Sequence, residues 1–130
     1  MTQNRSVLVG ERDHARLTRL IARTDPKVVA LLDEELDAAT VVPEDELPVD
    51  VVAMGSVVTF RDADTGETST IELVFPAQAD ASLNRISILA PVGAALIGLR
   101  VGERITWPVP NGRDRHLEVT DVRSRAWTEP

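Results

Sequence analysis

Two prolines, Pro43 and Pro48, divide this chain into halves with different hydrophobic periods, and that switch constrains the fold more than any other feature. Before them, Leu17, Leu20 and Ile21 recur at i, i+3 and i+4, with Arg12, Arg16, Arg19 and Arg23 between them, which predicts a helix from Glu11 to Arg23. Thr24-Asp25-Pro26 follows, and Asp at an N-cap with Pro at the first helical position is a helix-start signal. A second helix is therefore expected from Pro26 to about Thr40, with Val28, Leu31 or Leu32, Leu36 and Ala39 on its apolar side. Two helices joined by so short a link fold back as an antiparallel hairpin. Val7-Leu8-Val9 precedes them as a short extended segment.

Beyond Glu44-Asp45-Glu46-Leu47, a polar connector, the period is two. Val57 to Arg61 and Ser69 to Phe75 read as strands around Asp64-Thr65-Gly66-Glu67, a hairpin turn. Arg85 to Leu89 is another strand, and Pro91 to Leu99 suits a short buried helix. Glu103 to Val109 and Leu117 to Arg123 form a last pair around Asn111-Gly112. Strands and one helix behind a helical preface make the chain α+β. The expected division is a hairpin over residues 1–42 and a sheet domain over 43–130.

Composition removes several chemistries. The 130 residues contain no Cys, so disulfides, thiolate metal sites and Cys nucleophiles are excluded. His14 and His116 are the only imidazoles, too few for a multi-His zinc centre. The formal charge is −7, of which residues 1–50 carry −5 (six basic against eleven acidic side chains). Such a chain has no electrostatic footprint for DNA or RNA, although it can meet a basic protein surface. Phe60, Phe75, Trp107 and Trp127 are the only aromatics, too few to line an aromatic pocket. No apolar run approaches the ~20 residues of a membrane span, and no secretory core follows Met1, which points to the cytoplasm of a bacterium. Ser56 and Ser87 belong to no nucleophile motif, and Gly93-x-x-x-x-Gly98 lacks the Lys-Ser/Thr of a phosphate loop. No cofactor, metal or catalytic residue is expected.

Ile88-Leu89-Ala90-Pro91-Val92-Gly93-Ala94-Ala95-Leu96-Ile97-Gly98-Leu99-Arg100-Val101-Gly102-Glu103 resembles the S-P-x-G-x-A-L-x-G-x-x-x-G-D signature of the GreA/GreB C-terminal domain family. Ala90 stands for the usual Ser and Glu103 for the usual Asp. Trp107-Pro108-Val109-Pro110-Asn111-Gly112 and His116-Leu117-Glu118-Val119 extend the match. Leu32-x-x-Glu35-Leu36-Asp37-x-Ala39, Pro48-x-Asp50-Val51-Val52-x-Met54-x-Ser56 and Leu73-Val74-Phe75-Pro76 look like segments of the Rnk branch, the regulators of nucleoside diphosphate kinase. The similarity covers roughly residues 32–123.

The resemblance implies an FKBP-like antiparallel sheet with one short helix behind the hairpin. It implies docking of a monomer on RNA polymerase at the secondary-channel rim, with Leu89, Ala90, Pro91, Val92 and Ala95 as contacts. Leu89 to Val92 can equally be packing residues, and Gly93 and Gly98 can serve close approach or a positive φ. In Gre factors, acidic residues at the tip of a longer hairpin help hold a catalytic metal in the polymerase active site. Here the tip offers Asp25 alone, whose plainest role is a helix cap. Thirteen to fifteen helical residues span only ~20 Å, and Asp33, Glu34, Glu35 and Asp37 lie well inside the second helix. The expected protein is therefore a non-enzymatic regulator that competes with Gre factors without stimulating transcript cleavage. The alternatives are direct control of nucleoside diphosphate kinase by protein contact, and a peptidyl-prolyl isomerase suggested by fold alone.

Overall fold

Alternation of burial along the strands builds the core of the computed structural model, which describes residues 7–108 and 114–124. In β3 (Ser56–Asp62), Ser56, Val58 and Asp62 are buried while their neighbours are less so; in β4 (Thr68–Val74), Ile71, Leu73 and Val74 are buried. These two strands, with β5 (Arg85–Ser87), β6 (Arg104–Pro108) and β7 (Asp114–Ser124), form a five-stranded sheet in the order β5-β4-β3-β7-β6. The β3–β7 register shifts between Thr59 and Phe60, where Thr59 faces Asp121 and Phe60 faces Val119. Thr120 is thus the extra residue of a bulge. The bulge changes the parity of β7, so Leu117 and Val119 are buried and Val122, not residue 121, packs on the same core.

The sheet is mostly antiparallel, with one departure from the expected all-antiparallel form. β5 (Arg85–Ser87) pairs with β4 in parallel, Leu73 facing Ile86. It stops two residues before the expected Leu89 because Leu89 N–H donates to Ser87 Oγ at 2.9 Å and Ala90 N–H to Ser87 O at 2.9 Å, turning the chain. The Asn111-Gly112 turn lies outside the described residues.

Helices α1 (Glu11–Ala22) and α2 (Pro26–Ala38) run where the periodicity put them. A short parallel pair, β1 (Leu8–Gly10) with β2 (Thr40–Val42), joins their open ends, Leu8 facing Thr40. The second helix ends at Ala38 because Thr40 has already become strand. Its buried residues are Val29, Leu32 and Leu36; Val28 is 53% exposed and Leu31 also faces outward, which corrects the expected face by one position at Val28. One hydrophobic cluster runs through both halves of the chain, from Val7, Leu17, Leu32 and Leu36 to Leu73, Leu96, Leu99 and Leu117.

Candidate functional site

The segment from Leu89 into α3 (Pro91–Leu96) carries the family signature, and its geometry follows from two glycines. A Cβ on Gly93 would lie 2.5 Å from Ser87 O and 3.1 Å from Leu73 Cδ1, so only Gly lets α3 sit this close to the sheet. Gly98, with φ +81°, reverses the chain after the helix, where a Cβ would strike Val7. Its N–H donates to Val52 O at 2.9 Å, and its carbonyl accepts from Leu8 N–H at 3.2 Å. Val52 N–H in turn donates to Leu99 O at 2.8 Å. The strand leading into the helices is thereby tied to the segment behind α3.

Leu89, Ala90 and Val92 are half-buried, Leu89 and Val92 packed partly on the core, and Pro91 is exposed, so the start of α3 offers a partly exposed face. Ala95 differs. It is 4% exposed and belongs to the core, so its expected role as a contact residue is corrected to that of support beneath the face. Ala90 occupies the N-cap of α3 without a side-chain hydrogen bond to the helix, as an alanine must. Pro91 at the first helical position needs no N–H partner.

Asp25 sits in the link between α1 and α2, where its Oδ1 accepts from Lys27 N–H at 2.9 Å. It is the N-cap of α2. Among the described residues no group of three or more His, Asp or Glu side chains is placed to hold a metal ion, and Asp33, Glu34, Glu35 and Asp37 do not form one. The connector Glu44–Glu46 is a 3₁₀ turn rather than a mere solvated run. Glu44 reaches back to the N-terminus of α1, its Oε2 accepting from Arg12 N–H at 2.7 Å. A carboxylate there meets unpaired N–H groups and the positive end of the helix dipole. The sequence pattern gave no sign of this, since cap and helix are separated by the whole helical pair.

Two buried carboxylates organise the scaffold. Asp13 in α1 accepts from Met54 N–H at 3.0 Å through one oxygen and pairs with Arg16 at 2.5 Å through the other. Asp62 accepts from Asp64 N–H at 2.8 Å, from Thr65 N–H at 3.3 Å and from the Arg115 guanidinium, fixing the β3–β4 turn. The Asp64 N–H bond above all, with Arg115 and the Thr65 N–H, outweighs burial and holds the Asp62 carboxyl below its ordinary pKa. His116, beside it, meets Asp64 at 3.1 Å. Ser56 and Ser87 spend their hydroxyls on Ala53 N–H and Leu89 N–H, both at 2.9 Å.

A helical pair packs against a mixed sheet through one shared core, with the signature segment at the start of α3. Residues 47–124 match the family model "Transcription elongation factor, GreA/GreB, C-term". The chain is 39% identical over 120 residues to the "Regulator of nucleoside diphosphate kinase" of Escherichia coli K12, a match covering 90% of this chain and 88% of the relative. It is 40% identical over 95 residues to "Transcription elongation factor GreA" of Clostridium novyi, covering 73% of this chain and 59% of that protein. A solved GreA/GreB structure from Nitrosomonas europaea shares 37% identity with a TM-score of 0.76, over 92% of this chain and 99% of that one. The chain belongs to the GreA/GreB family, and the two curated relatives bear the names of a regulator and a transcription factor.

Proposed function

We propose that this protein is a transcription regulator that docks on RNA polymerase at the secondary-channel rim through Leu89, Ala90, Pro91 and Val92. In this reading it acts in the cytoplasm as a monomer, makes no direct nucleic-acid contact, competes with Gre factors for the rim and does not stimulate transcript cleavage. The observation that carries the reading is a partly exposed apolar turn, tied by Ser87 and seated close to the sheet at Gly93, on a signature shared with elongation factors. The shortness of the helical pair supports the absence of cleavage. Thirteen residues of α2 span ~20 Å, and the link carries one carboxylate, already used as a cap. Metal ligands act within ~2.0–2.2 Å, and a lone capping side chain set back from the active site does not reach that far.

The test is binding of the purified chain to core RNA polymerase, with and without excess GreA. Saturable binding that GreA displaces is expected, with about tenfold weakening in Pro91→Ala/Val92→Asp, the effect of ~1.4 kcal/mol. No binding at low salt, or binding that GreA leaves untouched, defeats the reading. Cleavage of stalled complexes that depends on Asp25 defeats its non-catalytic half.

A second reading, direct contact with nucleoside diphosphate kinase, is favoured by the printed name of the Escherichia coli relative. Kinase activity that changes on adding purified protein, with no polymerase present, would favour it. The isomerase alternative gains nothing from the described aromatics, since Phe60 and Phe75 pack against the core and Phe75 opens onto an arginine-lined groove.

A further inference from the structure

Arginines that looked like the polar side of an ordinary amphipathic helix line a groove. Arg16, Arg19 and Leu20 of α1, with Arg23 at its C-cap, face Phe75, Pro76 and Ala77 across an open cavity of about 470 Å³. That is within the size range of sites that hold a small ligand or a few side chains. Its floor is apolar: Leu20 and Phe75 are half-buried and pack against the core.

The three guanidinium groups are not equivalent. Arg16 is fixed, paired with buried Asp13 and lying over the Phe75 ring at 4.9 Å from its centre. Arg19 and Arg23 are exposed, and their guanidinium groups make no hydrogen bond or ion pair among the described residues. They stand at i and i+4, where like charges repel. On a chain of net charge −7, this is a local concentration of unneutralised positive charge beside apolar surface.

We infer that the groove binds a short acidic segment of a partner protein, its carboxylates on Arg19 and Arg23 and an apolar side chain on Leu20, Phe75 and Pro76. Charge complementarity selects the acidic residues, because planar guanidinium groups match carboxylates in a bidentate manner. The apolar floor selects a peptide over a phosphate backbone, which would leave Leu20 and Pro76 uncovered. The overall negative charge opposes a polyanion at long range, whereas a segment with two or three carboxylates is repelled little. This site is separate from the loop at Leu89–Val92 and does not depend on polymerase docking, although Val74 O accepts from Ile88 N–H at 2.8 Å and so sets the two surfaces side by side.

The probe is a fluorescein-labelled peptide, Asp-Glu-Leu-Phe-Asp-Glu with blocked ends, measured by anisotropy against the full chain at low salt. Saturable binding is expected, weakened at least about tenfold by Arg19→Glu/Arg23→Glu and abolished when every acid of the peptide is replaced by its amide. Arg19→Gln/Arg23→Gln should weaken binding by a smaller factor, and serves if the charge-reversed protein fails to fold. Absence of peptide binding, equal binding of the amide peptide, or indifference to both double variants overturns the inference. Preferential binding of a labelled uridine hexanucleotide that the peptide cannot displace overturns it in favour of nucleic acid. Because polymerase is absent throughout, failure here is distinguishable from failure of the docking reading.

Discussion

The helical pair is held differently at its two ends. At the base, Leu17, Leu32 and Leu36 join the main cluster, β1 pairs with β2, Glu44 caps α1, and Asp13 fastens α1 to Met54. Toward the tip, Val29 is buried but stands outside that cluster, and the link is closed by local bonds: Asp25 onto Lys27 N–H, and Thr24 Oγ1 donating to Leu20 O at 2.7 Å. The base is therefore part of the sheet domain energetically, whereas near the tip only the half-buried Leu20 and Ile21 of α1 reach the main cluster. Opening the tip costs few buried contacts, and opening the base costs the core.

Core truncation tests the contrast most strongly. Leu32→Ala, at the base, should cost about 2–5 kcal/mol of unfolding free energy in urea, whereas Val28→Ala, on the exposed side of the same helix, should stay within about 0.5 kcal/mol. Equal losses would break the distinction between the two faces. Next come two glycines with nearly equal positive φ. Gly66→Ala, in open space with φ +80°, should cost about 1–2 kcal/mol for its left-handed backbone alone. Gly98→Ala should exceed it, because the new methyl also meets Val7 and the Leu8 backbone. Thermal unfolding of the two variants side by side decides whether that junction is as tight as it looks.

The caps give the smaller effects. Glu44→Ala should lower stability by about 1 kcal/mol through the lost bond to Arg12 N–H. The loss should shrink in high salt, since part of it is charge against a helix dipole. Asp25→Asn should cost only a few tenths of a kcal/mol, because Asn caps nearly as well. A larger loss at Asp25 than at Glu44, seen in matched denaturant titrations, would reverse the ranking of tip and base.

Much of this was legible in the sequence where the signal was local. Asp25-Pro26 marked the start of α2 because cap and proline act on the adjacent turn, and Asp64 to Glu67 marked a hairpin whose strands are neighbours in the chain. The helix face at Val28 was misjudged because two adjacent valines, Val28 and Val29, satisfy nearly the same spacing, and only packing chooses between them. Strand β2 was missed because Thr40-Val41-Val42 is too short to announce itself and its partner lies on the far side of two helices. Glu44 and the arginine groove were missed for the same reason. Arg16, Arg19 and Arg23 were visible as a helical stripe, but nothing in the pattern linked them to Phe75. Of Leu89 to Val92 in the signature, only Pro91 is exposed, Leu89 and Val92 pack partly on the core, and Ala95, indistinguishable by type from its neighbours, turns inward with the helix.

The bond between Leu8 N–H and Gly98 O has a consequence for the order of events on the ribosome. The helical pair can form early, since its contacts are close in sequence. The first strand can pair with β2 once residue 42 has emerged, whereas its bond to Gly98 waits until residue 98 has left the exit tunnel. Until then Val7, Leu17, Leu32 and Leu36 have an uncovered side, and the nascent chain carries an apolar surface waiting for its other half. The signature segment thus joins the first strand to the sheet domain, and β7, arriving later still, closes the core with Leu117 and Val119.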